Sequence, residues 1–203
     1  MTNERQPLLD PDLADRLAAA ARSGDPEALA RLYRAYGPAL LAYLQRLLGD
    51  QPEAEDVLHE TWLRLFSGRG EWEARGRLRS WLFTVADRLG RDRLRCRQRH
   101  NLLTPRLNEL NDTLAPTAAE TPSDAVHLRE LLDQVENVLQ DLPPAYALAF
   151  QLRIREEFTY AEIAAICGEP EGTLRSRVHY TIKQLRQALA RSTEIDRKKD
   201  GAS

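Results

Sequence analysis

The sequence predicts an all-α protein made of two small helical domains, and three observations point to this class. The 203 residues are 42 % apolar and 30 % charged but include only 10 glycines and 11 prolines, so the chain can build cores and is poor in turn formers. Apolar residues recur at spacings of three and four in several segments, as on one face of a helix. Alternating runs of Val, Ile, Thr and aromatic residues bounded by turn signals, which would predict strands, are hard to find.

The first predicted domain covers residues 25–100 and follows an N-terminal extension of residues 1–24. Its first helix begins at Asp25, a capping residue followed by Pro26, and ends at Gly49. The predicted apolar face of this helix consists of Leu29, Leu32, Tyr33, Tyr36, Leu40, Leu44, Leu47 and Leu48.

Two further helices are predicted in this domain, over residues 52–66 and 78–100. Both are amphipathic, with Trp62 and Trp81 on their core faces. The outer face of the earlier helix is acidic and consists of Glu53, Asp56, His59 and Glu60. The later helix turns three arginines outward, namely Arg88, Arg91 and Arg95.

A glycine-containing segment, Ser67 to Arg77, separates these two helices and predicts a loop around Trp72. Residues 69–106 contain 11 arginines and four acids, a local excess of seven positive charges. That excess is sufficient to hold phosphates. The whole chain has a net charge of −2 and a pI of about 6.1, which argues against a simple basic protein that coats nucleic acid.

The second predicted domain covers residues 124–191, and a tail of residues 192–203 follows. Residues 101–123 contain three prolines and no lasting apolar periodicity, which predicts a flexible linker between the domains. The second domain begins with helices predicted over 124–140 and 144–155.

A helix-turn-helix is predicted next. Thr159 and Glu162 form a capping-box pattern for a short helix that ends before Gly168. Pro170 then helps to start a longer helix that runs to about Ala190. The short helix, the tight turn and the long helix are the parts that a DNA-reading unit of this kind requires.

The last predicted helix has one apolar and one basic face, with no acid between Gly172 and Arg191. Its basic face consists of Arg175, Ser176, Arg177, His179, Tyr180 and Lys183. Arg can bond guanine edges bidentately, Ser and His can bond base edges or phosphate, and Lys neutralises phosphate, so this face suits a major groove. The alternative, a charged face that is merely solvated, is disfavoured by the short helix and turn that precede it.

Several other classes find little support in the sequence. Cys96 and Cys167 lie far apart and have no neighbouring Cys, so neither a disulfide framework nor a zinc site is predicted. No cofactor is expected. No run of about 18 apolar residues or apolar signal core occurs, so we expect a cytoplasmic protein without membrane insertion. Two acidic pairs, Asp12 with Asp15 and Glu156 with Glu157, are interpreted as helix-terminal and surface charges, and no catalytic constellation is visible.

Three segments of the sequence resemble sigma factors of the extracytoplasmic-function (ECF) group. The run from Phe158 to His179 (FTYAEIAAICGEPEGTLRSRVH) resembles the fourth conserved sigma region, and response regulators carry a similar tract. Residues 53–66 (EAEDVLHETWLRLF) resemble the polymerase-binding helix of the second region, and residues 78–87 (LRSWLFTVAD) resemble its promoter-melting helix. His59 stands where relatives generally carry Gln. A short linker in place of a third-region domain is typical of the ECF group.

This resemblance implies a non-enzymatic subunit that binds core RNA polymerase and directs promoter-specific initiation. The first domain would recognise the −10 element and the helix-turn-helix the −35 element, and an anti-sigma factor is expected as a further partner. The implied polymerase-binding residues are Asp56, His59 and Glu60. The implied DNA-binding residues are Trp72, Arg77, Arg88, Arg91, Arg95, Arg175, Ser176, Arg177, His179, Tyr180 and Lys183.

Two alternatives stay open at the level of sequence. Trp72 either captures an unstacked base or packs against its own domain. The chain as a whole is either a sigma factor or a stand-alone helix-turn-helix regulator, and the second class predicts binding to duplex DNA without polymerase.

Overall fold

A computed structural model describes residues 9–67, 77–103 and 123–200, and every regular element in these ranges is helical. This confirms the predicted all-α class. The helices are α1 (Pro11–Arg22), α2 (Pro26–Leu48), α3 (Gln51–Phe66), α4 (Leu78–Leu103), α5 (Ser123–Asp141), α6 (Pro144–Phe150), α7 (Tyr160–Cys167) and α8 (Glu171–Asp200). A π-helical segment, Gln151–Arg155, continues α6.

Helix α1 lies within residues 1–24, which the sequence predicts only as an extension. Asp10 caps it, and its carboxylate accepts hydrogen bonds from the backbone N–H groups of Asp12 and Leu13 at 3.1 and 3.2 Å. Asp15, interpreted as a surface charge, is only 9 % exposed, so that interpretation is wrong. It lies on the helix face that also buries Ala14 and Leu17 against the neighbouring helices.

Helix α2 begins and ends as predicted. The Asp25 side chain accepts hydrogen bonds from the N–H groups of Glu27 and Ala28, and Gly49 ends the helix in the left-handed conformation at φ 68°, which glycine adopts without a Cβ penalty. The predicted apolar face is too wide, because Leu29 is 36 % and Tyr33 47 % exposed.

Helices α1 to α4 pack together into an N-terminal module. Its core includes Leu40, Tyr43, Leu65, Leu82 and Phe83, each at most 2 % exposed. Trp62 is buried as predicted at 4 % exposure, whereas Trp81 is half-buried. The apolar spacing of three and four therefore identified most of this core correctly.

The C-terminal module consists of α5 to α8, and two of its boundaries differ from the prediction. The helix predicted over 144–155 divides into α6 and the π-helical segment, after which Glu157 takes a left-handed φ of 57°. Helix α8 continues to Asp200 instead of ending near Ala190. Continuous amphipathic spacing carries no signal for a π-type widening of a helix, so the sequence could not locate it.

Both modules contribute to one apolar cluster, which joins Tyr43 and Phe83 to Leu152, Phe158 and Ile163. A smaller cluster around Leu139, Ala147, Phe150 and Leu185 lies within the C-terminal module. The predicted loop and linker lie outside the described residues over 68–76 and 104–122. The domain boundaries stay a prediction.

Glu156 was interpreted as a surface charge, and the structure corrects this. Its carboxylate accepts a hydrogen bond from Arg79 Nη2 at 2.7 Å, and the two side chains are only 13 % and 18 % exposed. The partners are 77 positions apart in the sequence, so local pattern gave no indication of the pair.

Candidate nucleic-acid and polymerase interfaces

The predicted helix-turn-helix is formed by α7, a tight turn and the start of α8. Thr159 Oγ1 accepts from the Glu162 N–H at 3.3 Å, while the Glu162 carboxylate accepts from the Thr159 N–H at 2.8 Å, which confirms the capping box. Gly168 ends α7 at φ 69°. Leu174, 1 % exposed, anchors α8 in the core. The turn therefore fixes the position of α8 on the module.

The exposed side of α8 brings five predicted DNA-binding residues together. They line one shallow groove with Gly172 and are Arg175, Ser176, His179, Tyr180 and Lys183. Each of the five is exposed. Together they place a guanidinium, two hydroxyls, an imidazole and an ammonium along one side of a helix, groups that can bond base edges and phosphates.

Two aromatic rings, those of Tyr160 and Tyr146, contact residues that line this groove. The Arg175 guanidinium lies 5.1 Å from the centre of the Tyr160 ring and 3.8 Å from the Glu171 carboxylate, yet the Arg175 side chain stays 66 % exposed. Tyr180 packs edge-on against Tyr146, with ring centres 5.3 Å apart. Ring contacts of these two kinds restrict side-chain freedom, so Arg175 and Tyr180 are partly oriented by their own module.

Arg177 lies elsewhere. Its side chain is 20 % exposed and pairs with Glu169 at 3.3 Å, on the turn before α8. The structure therefore does not bring Arg177 into the groove that holds the other five residues. The sequence offered one signal for this, since position 177 follows the apolar anchor Leu174 by three residues and therefore lies beside the apolar stripe of α8.

The predicted arginines of α4, and Arg77 just before it, have different surroundings. Arg77, Arg88 and Arg95 are exposed, and Arg95 pairs with Asp92 one helical turn away. Arg91, predicted to point outward, is half-buried, and its Nε donates to Asp87 Oδ2 at 2.7 Å. Trp72 lies outside the described residues.

Asp87 is the centre of a buried polar network that the sequence analysis missed. It is 2 % exposed and accepts a second hydrogen bond, from the Tyr43 hydroxyl, at 2.7 Å. Burial lowers the pKa of Arg91, but its hydrogen bond to Asp87 and the charge of that carboxylate outweigh this effect and raise it. Burial, with the nearby charge of Asp87, also raises the pKa of Tyr43 well above its usual value.

The same network approaches α7 of the C-terminal module. Burial raises the pKa of the Cys167 thiol to about 11, and the charge of Asp87 adds to this effect. Cys96, in contrast, is exposed on α4. Asp87 lies within the apolar series of α4, and Arg91 follows it by four residues. This spacing was the signal in the sequence for a buried pair.

The predicted polymerase-binding residues share one side of α3. Asp56 and His59 are exposed, and Glu60, 46 % exposed at its side chain, accepts from Arg64 Nη2 at 2.8 Å. Leu63, 52 % exposed, follows at helical spacing, a feature that the sequence analysis did not single out. Acidic groups beside an exposed leucine are suited to binding a basic protein surface with an apolar centre.

Other sites find no support in the described residues. Within 9–67, 77–103 and 123–200, no three His, Cys, Asp or Glu side chains are grouped so that they could hold a metal ion. No helix in this part of the chain combines the length and apolarity that crossing a bilayer requires.

The helical fold and the basic helix-turn-helix define a DNA-binding transcription protein, and comparison with known proteins gives the family. The Sigma-70 region 2 model matches residues 32–100 and the Sigma-70 region 4 model matches residues 132–185. The chain is 34 % identical to RNA polymerase sigma factor CarQ of Myxococcus xanthus, over 83 % of this chain and 92 % of that protein. It is 30 % identical to ECF RNA polymerase sigma factor SigL of Mycobacterium tuberculosis, over 83 % and 93 %.

Solved structures agree with this fold. The sigma factor RpoE of Bartonella quintana, solved with the anti-sigma factor NepR, superposes with a TM-score of 0.63 at 23 % identity, over 80 % of this chain and 96 % of that one. CnrH, solved with the cytosolic domain of CnrY, gives a TM-score of 0.56 at 20 % identity, over 88 % and 97 %. The chain belongs to the ECF RNA polymerase sigma factors and recognises promoters. The region 2 match disfavours the stand-alone regulator.

Proposed function

We propose that the two modules divide promoter recognition between them. The N-terminal module binds core polymerase and the −10 element, and the C-terminal helix-turn-helix reads the −35 element. The groove on α8 carries this proposal, because five groups that bond bases or phosphates line it without an acid among them. The reading unit is a helix, an element that the major groove admits.

For duplex reading, we propose Arg175 as the principal base contact. Its guanidinium is held over Tyr160 and remains exposed. A promoter-binding titration of the holoenzyme with Arg175→Ala should lose about 1 to 3 kcal/mol and relax base preference at one position. Lys183→Ala, the matched control, removes a phosphate contact and should weaken all sequences equally. Unchanged preference with Arg175→Ala would remove it as a base reader.

For strand separation, we propose that Arg77, Arg88, Arg91 and Arg95 hold the DNA backbone while Trp72 stacks on an unpaired base. Arginine-rich grooves with an aromatic platform bind single strands in this way. Arg91 is the least accessible of the four, because Asp87 binds its Nε. Permanganate footprinting should show less promoter opening with Trp72→Ala. Normal opening would favour the alternative that this ring packs against its own domain.

For polymerase binding, we propose that Asp56, His59 and Glu60 contact a basic surface of the core enzyme. Asp56→Lys combined with Glu60→Lys should weaken retention of core polymerase in a pull-down, since like charges at an interface repel. Glu27→Lys combined with Asp133→Lys makes the same charge change at exposed positions elsewhere and should leave retention intact. Equal retention by both double variants would contradict the assignment.

The remaining parts of the proposal follow from family membership. We propose a non-enzymatic, cytoplasmic protein that an anti-sigma factor holds inactive, as RpoE of Bartonella quintana was solved with one. The decisive experiment is in vitro transcription with purified core polymerase and genomic fragments. Specific transcripts that depend on the added chain are expected. Failure to associate with core enzyme, together with tight unaided DNA binding, would overturn the proposal.

A further inference from the structure

The groove on α8 contains an aromatic ring that charge and hydrogen bonding alone do not explain. The described residues that line the groove are Gly172, Ser176, Tyr180 and three side chains with nitrogen donors. Of these, only Tyr180 has a large apolar surface, and it stays 44 % exposed. Tyr180 follows Ser176 by four residues and precedes Lys183 by three, so it stands in the middle of this face. A single exposed ring is common on a protein surface, so its setting decides what it does.

The C-terminal module holds this ring in a restricted position. Tyr146 of α6 packs edge-on against it, with ring centres 5.3 Å apart and ring planes at 67°. Thr181, the residue after Tyr180, is fully buried, and its Oγ1 lies 3.4 Å from the carbonyl oxygen of Tyr146. This contact ties α6 to α8 beside the ring. Because a tyrosine ring turns about only two bonds and this one is already supported, ordering it against DNA costs little entropy.

The polar neighbours of Tyr180 leave apolar contact to its ring. Ser176 Oγ donates to the Gly172 carbonyl oxygen at 3.0 Å, so its proton is already bound within the helix. Arg175 and Lys183 are exposed cations, and cations bond acceptors on guanine or neutralise phosphates. The ring carbons of Tyr180 can do neither. The apolar group that a base edge presents in the major groove is the C5 methyl group of thymine.

We propose that Tyr180 is a specificity-determining residue, which selects a thymine in the −35 element by packing its ring against the C5 methyl group. This rests on the proposed reading of that element by α8. Opposite thymine, the ring and the methyl group both leave water, which is favourable. Opposite a G·C pair, the same ring covers polar base atoms that it cannot bond, and burying such atoms unpaired is costly. The groove therefore requires an A·T pair at one position.

A competing assignment uses the Tyr180 hydroxyl instead of the ring. In that case the hydroxyl donates to a phosphate oxygen, a contact that carries no information about the base. The two assignments make opposite predictions for Tyr180→Phe, which keeps the ring and removes the hydroxyl. They also differ for deoxyuridine, which pairs as thymidine does but lacks the C5 methyl group.

The experiment measures how tightly the holoenzyme, formed from the full chain and core polymerase, binds a promoter found by in vitro transcription. Each thymine of the −35 element, on either strand, is replaced singly by deoxyuridine. We expect about fourfold weaker binding for at least one of these duplexes, because a buried methyl group contributes about that factor. Tyr180→Ala should bind this duplex and its thymine parent equally, whereas Tyr180→Phe should keep the ratio of the unchanged chain.

Lys183→Ala is the matched control, because it lies on the same face of α8. It removes a phosphate contact, so both duplexes should bind more weakly while their ratio stays that of the unchanged chain. Circular dichroism establishes that each variant is folded.

Several results would overturn the assignment of Tyr180. They are equal binding of every deoxyuridine duplex by the unchanged chain, a Tyr180→Ala variant that keeps the ratio, a Tyr180→Phe variant that loses it, and a −35 element without an A·T pair. In each of these cases binding still depends on the −35 element, so the proposed function stands. Binding that does not depend on the −35 element at all would instead refute the proposed function, so the two failures are distinguishable.

Discussion

Removing the Asp87 carboxylate should destabilise the N-terminal module more than any other single charge removal on α4. The side chain is 2 % exposed and accepts two hydrogen bonds of 2.7 Å, one from the Tyr43 hydroxyl and one from Arg91. Each hydrogen bond to a buried charge contributes about 1.5 to 3 kcal/mol. Breaking a buried pair by deleting one partner costs about 3 to 5 kcal/mol, because the Tyr43 hydroxyl stays buried without its acceptor and the half-buried Arg91 loses its charge partner.

These energies predict the order in which three variants lose free energy of unfolding. Tyr43→Phe deletes one bond without a cavity and should cost about 1.5 to 3 kcal/mol, whereas Asp87→Ala should cost about 3 to 5. The double variant should cost little more than Asp87→Ala alone, with a coupling of at least about 1 kcal/mol, because both changes remove the same bond. Asp92→Ala, in an exposed pair on the same helix, should cost less than about 1 kcal/mol.

Urea unfolding followed by circular dichroism at 222 nm measures these differences. The transition midpoint should shift while the slope m stays constant, because a constant slope indicates that the exposed surface on unfolding has not changed. The reasoning would be refuted if Asp87→Ala lost no more stability than Asp92→Ala. Additive losses for Tyr43→Phe and Asp87→Ala would show that the two side chains act separately.

Three further outcomes are expected. The pKa of Tyr43 is raised in the folded state above its usual 10.0, so the unfolded state loses the hydroxyl proton first as the pH rises. The free energy of unfolding should therefore fall above about pH 10. A pH series of unfolding curves should show a weaker fall for the Tyr43→Phe variant. Gly168→Ala, at φ 69°, should cost about 1 kcal/mol in thermal unfolding, whereas Gly172→Ala, in a helix with open space around it, should be neutral or stabilising. Arg177→Ala should change −35 duplex binding by the holoenzyme less than about threefold, because Glu169 already binds that side chain; a larger loss would place it among the base readers.

Local sequence predicted those features that depend on near neighbours in the chain. The caps at Asp25 and Thr159, and the helix ends at Gly49 and Gly168, were predicted correctly, because capping and left-handed helix ends are decided within about four residues. The groove-lining face of α8 was predicted for the same reason, since side chains at helical spacing share one face once the opposite face is apolar.

Periodicity alone does not show which helices pack against each other. That packing decides the position of the π-helical segment Gln151–Arg155 and the exposure of Leu29, Tyr33 and Leu63. Helix α1 was missed for a related reason. Its apolar face consists largely of alanines, whose small side chains add little to an apolar periodicity but fit closely against neighbouring helices.

The sequence by itself determined the class of protein, most of its helices and the exposed basic face of α8. The tertiary structure alone decided which charges are buried, since Asp87 meets Tyr43 across 44 positions and Arg79 meets Glu156 across 77. A charge reveals its partner in sequence only when that partner lies one helical turn away. Pairs between distant helices form where the packing of apolar faces brings those charges together, so only the folded chain specifies them.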